Sequence, residues 1–114
     1  MEARIAKAVE FIQANLDRRL RVGELAALVG LSESRFWHLF GKEMAASPGN
    51  YLRAERIHRA RTLLETTSLS VKQIAYAVGF DDESHFIRAF RSISGLAPGE
   101  FRRRRPQVEF ECEN

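Results

Sequence analysis

Apolar residues recur along this chain with the period of a helix. Ile5, Val9, Ile12 and Leu16 fall at i, i+4, i+7 and i+11, an amphipathic stripe that predicts a helix over about residues 3–16. A short helix near 22–29 follows, with Leu25, Ala26 and Val29 facing inward. Ser32 has capping chemistry for a helix over 33–44, whose inner face is Phe36, Leu39 and Phe40. Ser47 and Pro48 form the N-cap and first-turn pair that opens a long helix to about Glu65. Ser70-Val71-Lys72-Gln73 fits a capping box for a helix over 71–78. Asp81 and Asp82 precede the next helix, which places Phe86, Ala89 and Phe90 inside, and Pro98 starts a last one ending in Arg102–Arg105. Only Val108, Phe110 and Cys112 alternate like a strand, and three such residues at a chain end are more often frayed than folded. The expected fold class is all-α, about seven helices.

The same pattern occurs twice. Residues 22–53 align with 71–103 if the second copy carries one extra residue near Asp82. Identical pairs include Val22/Val71, Ala26/Ala75, Gly30/Gly79, Phe36/Phe86, Phe40/Phe90, Pro48/Pro98 and Arg53/Arg103. Two copies make a duplicated unit and not a solenoid. The expected organisation is a first subdomain over 1–46, a linker helix over 47–66, a second subdomain over 67–106 and a flexible acidic tail over 107–114.

Each copy reads helix, glycine-containing turn, helix. Gly30 and Gly79 fall where a helix ends and the chain turns sharply, a place that favours positive φ. An apolar residue after each glycine can plug the gap between the helices. That is the helix-turn-helix pattern, although a single such hairpin is often only a packing unit. Phasing the second helices at 100° per residue sharpens it. With Phe36, Leu39 and Phe40 inside, Ser34, His38, Gly41 and Lys42 point away, flanked by Trp37 and Arg35. In the second copy Ser84, Arg88, Arg91 and Ser92 point away, flanked by Ile87 and His85. Faces that are polar or basic and begin with small residues suit entry into a major groove. Arg88 can donate to guanine O6 and N7, while Trp37 and Ile87 can touch a thymine methyl. The plainer alternatives are packing against a neighbouring helix for Trp37 and Ile87, and ordinary surface histidines for His38 and His85. On the long helix Leu52, Ile57, Ala60, Leu63 and Leu64 can face the cores, with Arg53, Arg56, Arg59 and Arg61 toward solvent or DNA. Fifteen helical residues span ~22 Å, so the two recognition helices can sit about one DNA turn, ~34 Å, apart.

Charge supports this picture without deciding it. The chain holds 18 basic and 15 acidic residues, for a net charge of +3. Glu109, Glu111 and Glu113 crowd the tail, so residues 1–106 carry +6, and fifteen of the basic residues are arginine. Arginine suits bidentate phosphate and base contacts. Arg35, Lys42, Arg53, Arg91, Arg102 and Arg103 are the phosphate candidates, although the run Arg102–Arg105 can equally just solubilise the terminus. An apolar run of the ~20 residues a membrane span needs is absent, as is a secretory leader, which gives a cytoplasmic expectation. Cys112, His38, His58 and His85 make no metal-ligand spacing, and no cofactor is expected. Asp81-Asp82-Glu83 clusters acids at a helix start, which is capping and dipole chemistry. With no Ser/His/Asp or Cys/His constellation on one face, an enzyme is not expected.

At this point the residues resemble a known family. Glu24-Leu25-Ala26-Ala27-Leu28-Val29-Gly30-Leu31-Ser32 and Ile74-Ala75-Tyr76-Ala77-Val78-Gly79-Phe80-Asp81 look like the AraC/XylS transcriptional regulators. So do Phe86-Ile87-Arg88-Ala89-Phe90 and Gly95-Leu96-Ala97-Pro98-Gly99-Glu100-Phe101-Arg102, and the match runs over about residues 3–105. The resemblance implies two helix-turn-helix subdomains joined by a long helix, sequence-specific promoter binding in the nucleoid, and usually activation through RNA polymerase. Carried over by position, the base-reading candidates are Ser34, Trp37 and His38, then Ser84, His85 and Arg88. Three departures stand out. Arg21 replaces the usual Ser or Thr cap, His38 stands where arginine is common, and the N-terminal effector or dimerisation domain of most members is missing. A fragment of a larger regulator is the expectation. Alternative functions are a low-specificity architectural DNA binder, in which Arg88→Ala weakens all sequences alike, and a helical protein-interaction module that binds no duplex.

Overall fold

A computed structural model describes residues 1–104. Its elements are seven helices: α1 (Ala3–Ala14), α2 (Val22–Leu28), α3 (Glu33–Met44), α4 (Pro48–Thr66), α5 (Val71–Ala77), α6 (Glu83–Ser94) and α7 (Pro98–Arg104). No strand occurs among the described residues, and no helix among them is long and apolar enough to cross a membrane. The expected tail over 107–114, with its short alternation, lies outside the described residues. The all-α, seven-helix expectation holds.

Helix limits follow the local chemistry. Ser32 Oγ accepts from the Arg35 N–H at 3.2 Å, Ser47 Oγ from Asn50 at 3.2 Å, and the Asp82 carboxylate from Ser84 at 2.9 Å. Each satisfies an N–H that the first helical turn leaves without an intrahelical partner. Ser70 and Gln73 complete a reciprocal capping box at 3.0 and 2.8 Å. Helices α2 and α5 stop just short of Gly30 and Gly79, whose φ of 75° and 100° turn the chain. Helix α1 ends at Ala14, before the expected Leu16, yet Leu16 stays buried in the turn beyond it.

The described residues divide into two compact units, with the boundary between His58 and Arg59, inside α4. The core of the first unit joins Ile5, Ala8, Ile12, Leu16, Leu25, Ala26, Phe36 and Phe40. In the second unit Ala60, Leu64, Ile74, Ala75, Val78, Phe80, Phe86, Ala89 and Phe90 are buried. Both units use the same ladder of rings. Phe36 and Phe40 lie 5.6 Å apart and Tyr51 meets Phe40 edge-on at 5.6 Å. Phe86 and Phe90 lie 5.8 Å apart and Phe101 meets Phe90 edge-on at 5.4 Å. Such tilted and edge contacts suit the aromatic quadrupole and add to the burial of ring surface. The duplication also reaches further than 22–53 and 71–103. Ile57, Ala60 and Leu64, all fully buried on α4, repeat the i, i+3, i+7 spacing of Ile5, Ala8 and Ile12 on α1.

Among the described residues, Glu2 and Tyr51, both in the first unit, titrate away from their ordinary ranges. Hydrogen bonds from Arg4 hold the Glu2 carboxyl below the usual carboxylate range at the start of α1. Burial pushes the Tyr51 phenol up, partly countered by the hydrogen bond that Gln13 donates to it.

Candidate nucleic-acid interface

Each glycine turn delivers a second helix whose inner face is locked by phenylalanine. Phe36 and Phe40 on α3, and Phe86 and Phe90 on α6, are fully buried, which fixes the rotation of each helix about its axis. The opposite faces then have no choice but to look outward. On α3, Ser34, Arg35, Trp37, His38 and Lys42 are exposed, Trp37 by 45% despite being the chain's only tryptophan. On α6, Ser84, His85, Arg88, Arg91 and Ser92 are exposed, and Ile87 is half-buried on the flank. Packing alone therefore does not account for Trp37, because so large an apolar ring is normally drawn inside.

Individual side chains have more specific settings. His38 Nδ1 lies 2.8 Å from the Ser34 carbonyl oxygen, one helical turn back. Ser34, Arg35, His38, Leu39 and Lys42 border an open hollow of about 300 Å³. The His85 ring instead meets Phe80 edge-on at 5.3 Å, a contact that ties it to the glycine turn. Arg53 is exposed, with one N–H donated to Asn50 Oδ1 at 3.0 Å. Arg103 is exposed as well.

Two arginines point elsewhere than the sequence suggests. Arg102, expected at phosphate, is half-buried and donates Nε to the Leu64 carbonyl and Nη2 to the Thr67 carbonyl, each at 3.1 Å. Arg56, expected toward solvent or DNA, donates in the same fashion to the carbonyls of Leu16 at 3.0 Å and Arg18 at 2.8 Å. Both guanidiniums thus clasp backbone acceptors at or just beyond the end of a preceding helix, where carbonyls lack intrahelical partners. Arg61 lies over the Phe101 ring at 5.3 Å, so its charge is also partly spent within its own unit.

Sequence reasoning passed over Tyr76, which stands 49% exposed on α5. The signal was available, since the repeat-matched position in α2 holds only Ala27. Among the described residues no group of His, Cys, Asp and Glu is placed to hold a metal ion.

Comparison with known proteins agrees with this architecture. A family model described as a helix-turn-helix domain matches residues 25–104. The arabinose operon regulatory protein of Salmonella typhimurium is 35% identical over 103 residues, covering 90% of this chain but only 37% of that protein. The chain therefore spans little more than a third of that relative's length. A transcriptional regulator of Chromobacterium violaceum, with an AraC-type DNA-binding domain, superposes with a TM-score of 0.86 at 33% identity over 92% of this chain and 94% of that one. The DNA-binding domain of the global transcriptional factor AdpA, solved in complex with a target DNA, gives a TM-score of 0.86 at 30% identity, covering 91% and 97%. With a helix-turn-helix model over most of the chain and AraC-type domains superposing along more than nine-tenths of it, the chain belongs to the AraC family of helix-turn-helix DNA-binding domains.

Proposed function

We propose that this chain is the promoter-reading part of a transcription regulator, with α3 and α6 each in a major groove, in successive grooves on one face of the duplex. The observation that carries this is the phasing of the two helices. Phenylalanine pairs lock their inner faces, and the outward faces offer small, polar and cationic side chains. Ser34, Trp37 and His38 then read one half-site, and Ser84, His85, Ile87 and Arg88 the other. His85 does so from the flank, beside Phe80. Arg88 is suited to guanine, whose O6 and N7 accept a bidentate pair. Arg35, Lys42, Arg53, Arg91 and Arg103 are assigned to phosphates, which set register without reading sequence. Tyr76 joins them as a hydroxyl donor on the helix that crosses the backbone in this motif. Arg102, engaged with two carbonyls, is left out of the set.

In the full-length protein this reading adds an N-terminal effector or dimerisation domain, contact with RNA polymerase, and a place on the nucleoid in the cytoplasm. It gives the chain no catalytic role.

Selection of binding sites from a random duplex library, with the 114-residue chain at moderate salt, tests the proposal. A bipartite motif with submotifs about one turn apart is expected. Arg88→Ala is expected to cost roughly 1–3 kcal/mol on the selected site and to relax preference at one position only. Salt-sensitive binding with no enriched sequence, or an equal loss on all sequences, would overturn it in favour of an architectural binder.

A further inference from the structure

We infer that His38 reads an exocyclic amino group, adenine N6 or cytosine N4, so that the two half-sites differ in hydrogen-bond polarity at matched positions. The inference rests on the placement of α3 in a major groove proposed above, and adds to it what one residue there recognises.

The argument starts from a hydrogen bond. His38 Nδ1 sits 2.8 Å from the Ser34 carbonyl oxygen. A carbonyl oxygen can only accept, so a proton lies on Nδ1, and in the neutral form of the ring that leaves the lone pair on Nε2. Nε2 is on the far edge of the ring from Nδ1, and the residue is exposed. The α3 surface therefore presents an acceptor, flanked by the donors of Arg35 and Lys42 around the same hollow.

In the major groove only the adenine N6 and cytosine N4 amino groups donate. Guanine O6 and N7 and thymine O4 are acceptors, and each would face the Nε2 lone pair with its own. Residue 38 of the first copy corresponds to residue 88 of the second, where Arg88 carries donors alone. The duplicated scaffold thus sets an acceptor in one half-site and a donor fork in the other. That makes the two submotifs chemically distinguishable and fixes which way round the chain sits on its site.

The test repeats the selection at pH 8 with the unaltered chain, His38→Arg and His38→Ala. Adenine or cytosine is expected at one position of the first submotif. His38→Arg should switch that position to guanine, and His38→Ala should erase its preference, about five- to tenfold, with the other positions kept. Duplexes in which the base at that position has hydrogen in place of its amino group, purine for adenine or 2-pyrimidinone for cytosine, tell the two sources apart. Each should weaken the unaltered chain and leave His38→Ala unmoved. Guanine or thymine at the position, or a preference that survives both substitutions, overturns the inference while leaving the groove placement standing. A chain that enriches no motif in any form sinks the groove placement and the inference with it.

Discussion

The two units solve the same structural problem with unequal local means. Where α2 begins, Arg21 offers no side-chain acceptor to the helix, whereas Ser70 and Gln73 close a full capping box at the start of α5. Where α3 ends, Ala45 is held in the left-handed region at φ 58°, and the matching position after α6 is Gly95 at φ 84°. Yet the ring ladders Phe36–Phe40–Tyr51 and Phe86–Phe90–Phe101 are alike to within a few tenths of an ångström. Magnitudes explain why the first copy tolerates its weaker ends. A missing cap costs ~1 kcal/mol and a non-glycine left-handed residue about 1–2, while one core phenylalanine is worth about 3–5. Burial of the ring face, repeated twice, outweighs the helix ends.

The largest expected effects probe that claim. Phe36→Ala and Phe86→Ala should each lose about 3–5 kcal/mol, because the truncated ring leaves a cavity between two helices. Amide exchange read separately for α3 and α6 assigns the loss to a unit. Comparable losses, each confined to its own unit, would show that the cores are equivalent. A markedly smaller loss at Phe36 would mean that the first unit leans on contacts other than its ladder.

Next in size are the two arginine clasps. Arg56→Met and Arg102→Met keep most of the aliphatic stem but remove two charge-assisted hydrogen bonds from carbonyls. Each should cost about 1–3 kcal/mol in denaturant melts and leave the selected DNA motif unaltered. A change in the motif or in its salt slope for Arg102→Met, without loss of stability, would return that residue to the phosphate set.

These clasps mark the limit of what the chain revealed as a string of letters. Helices, glycine turns and the fold class were legible because each rests on periodicity or on a cap within four residues. The outward faces of α3 and α6 were legible for the same reason, once Phe36 and Phe86 fixed the phase. Arg56 and Arg102 were not, since each reaches a carbonyl about forty residues away. An exposed arginine and one folded inward have the same letter. The proton position on His38 depends on a rotamer, which spacing alone does not give. Glu33 stands in the first turn of α3, and no local spacing ties it to α2. Its Oε2 in fact lies 2.7 Å from where a Cβ on Gly23 would stand, over the first turn of α2.

That carboxylate decides the smallest prediction. Arg21→Ser should restore a cap to α2, but Glu33 already sets a negative charge beside the positive end of the same helix. The gain should therefore fall short of the usual ~1 kcal/mol, and should grow when Glu33→Gln removes the charge first. Ala45→Gly relieves a left-handed alanine worth about 1–2 kcal/mol against a glycine entropy cost of about 0.5–1, leaving a net gain of about 0.5–1. The mirrored changes Ser70→Ala and Gly95→Ala should destabilise the second unit by about the same amounts. Thermal melts of the four single variants and the Arg21/Glu33 double-mutant cycle measure all of this. If Arg21→Ser gains its full ~1 kcal/mol with Glu33 in place, the carboxylate is no substitute for the cap. The first unit would then carry an uncompensated defect that its ring ladder alone absorbs.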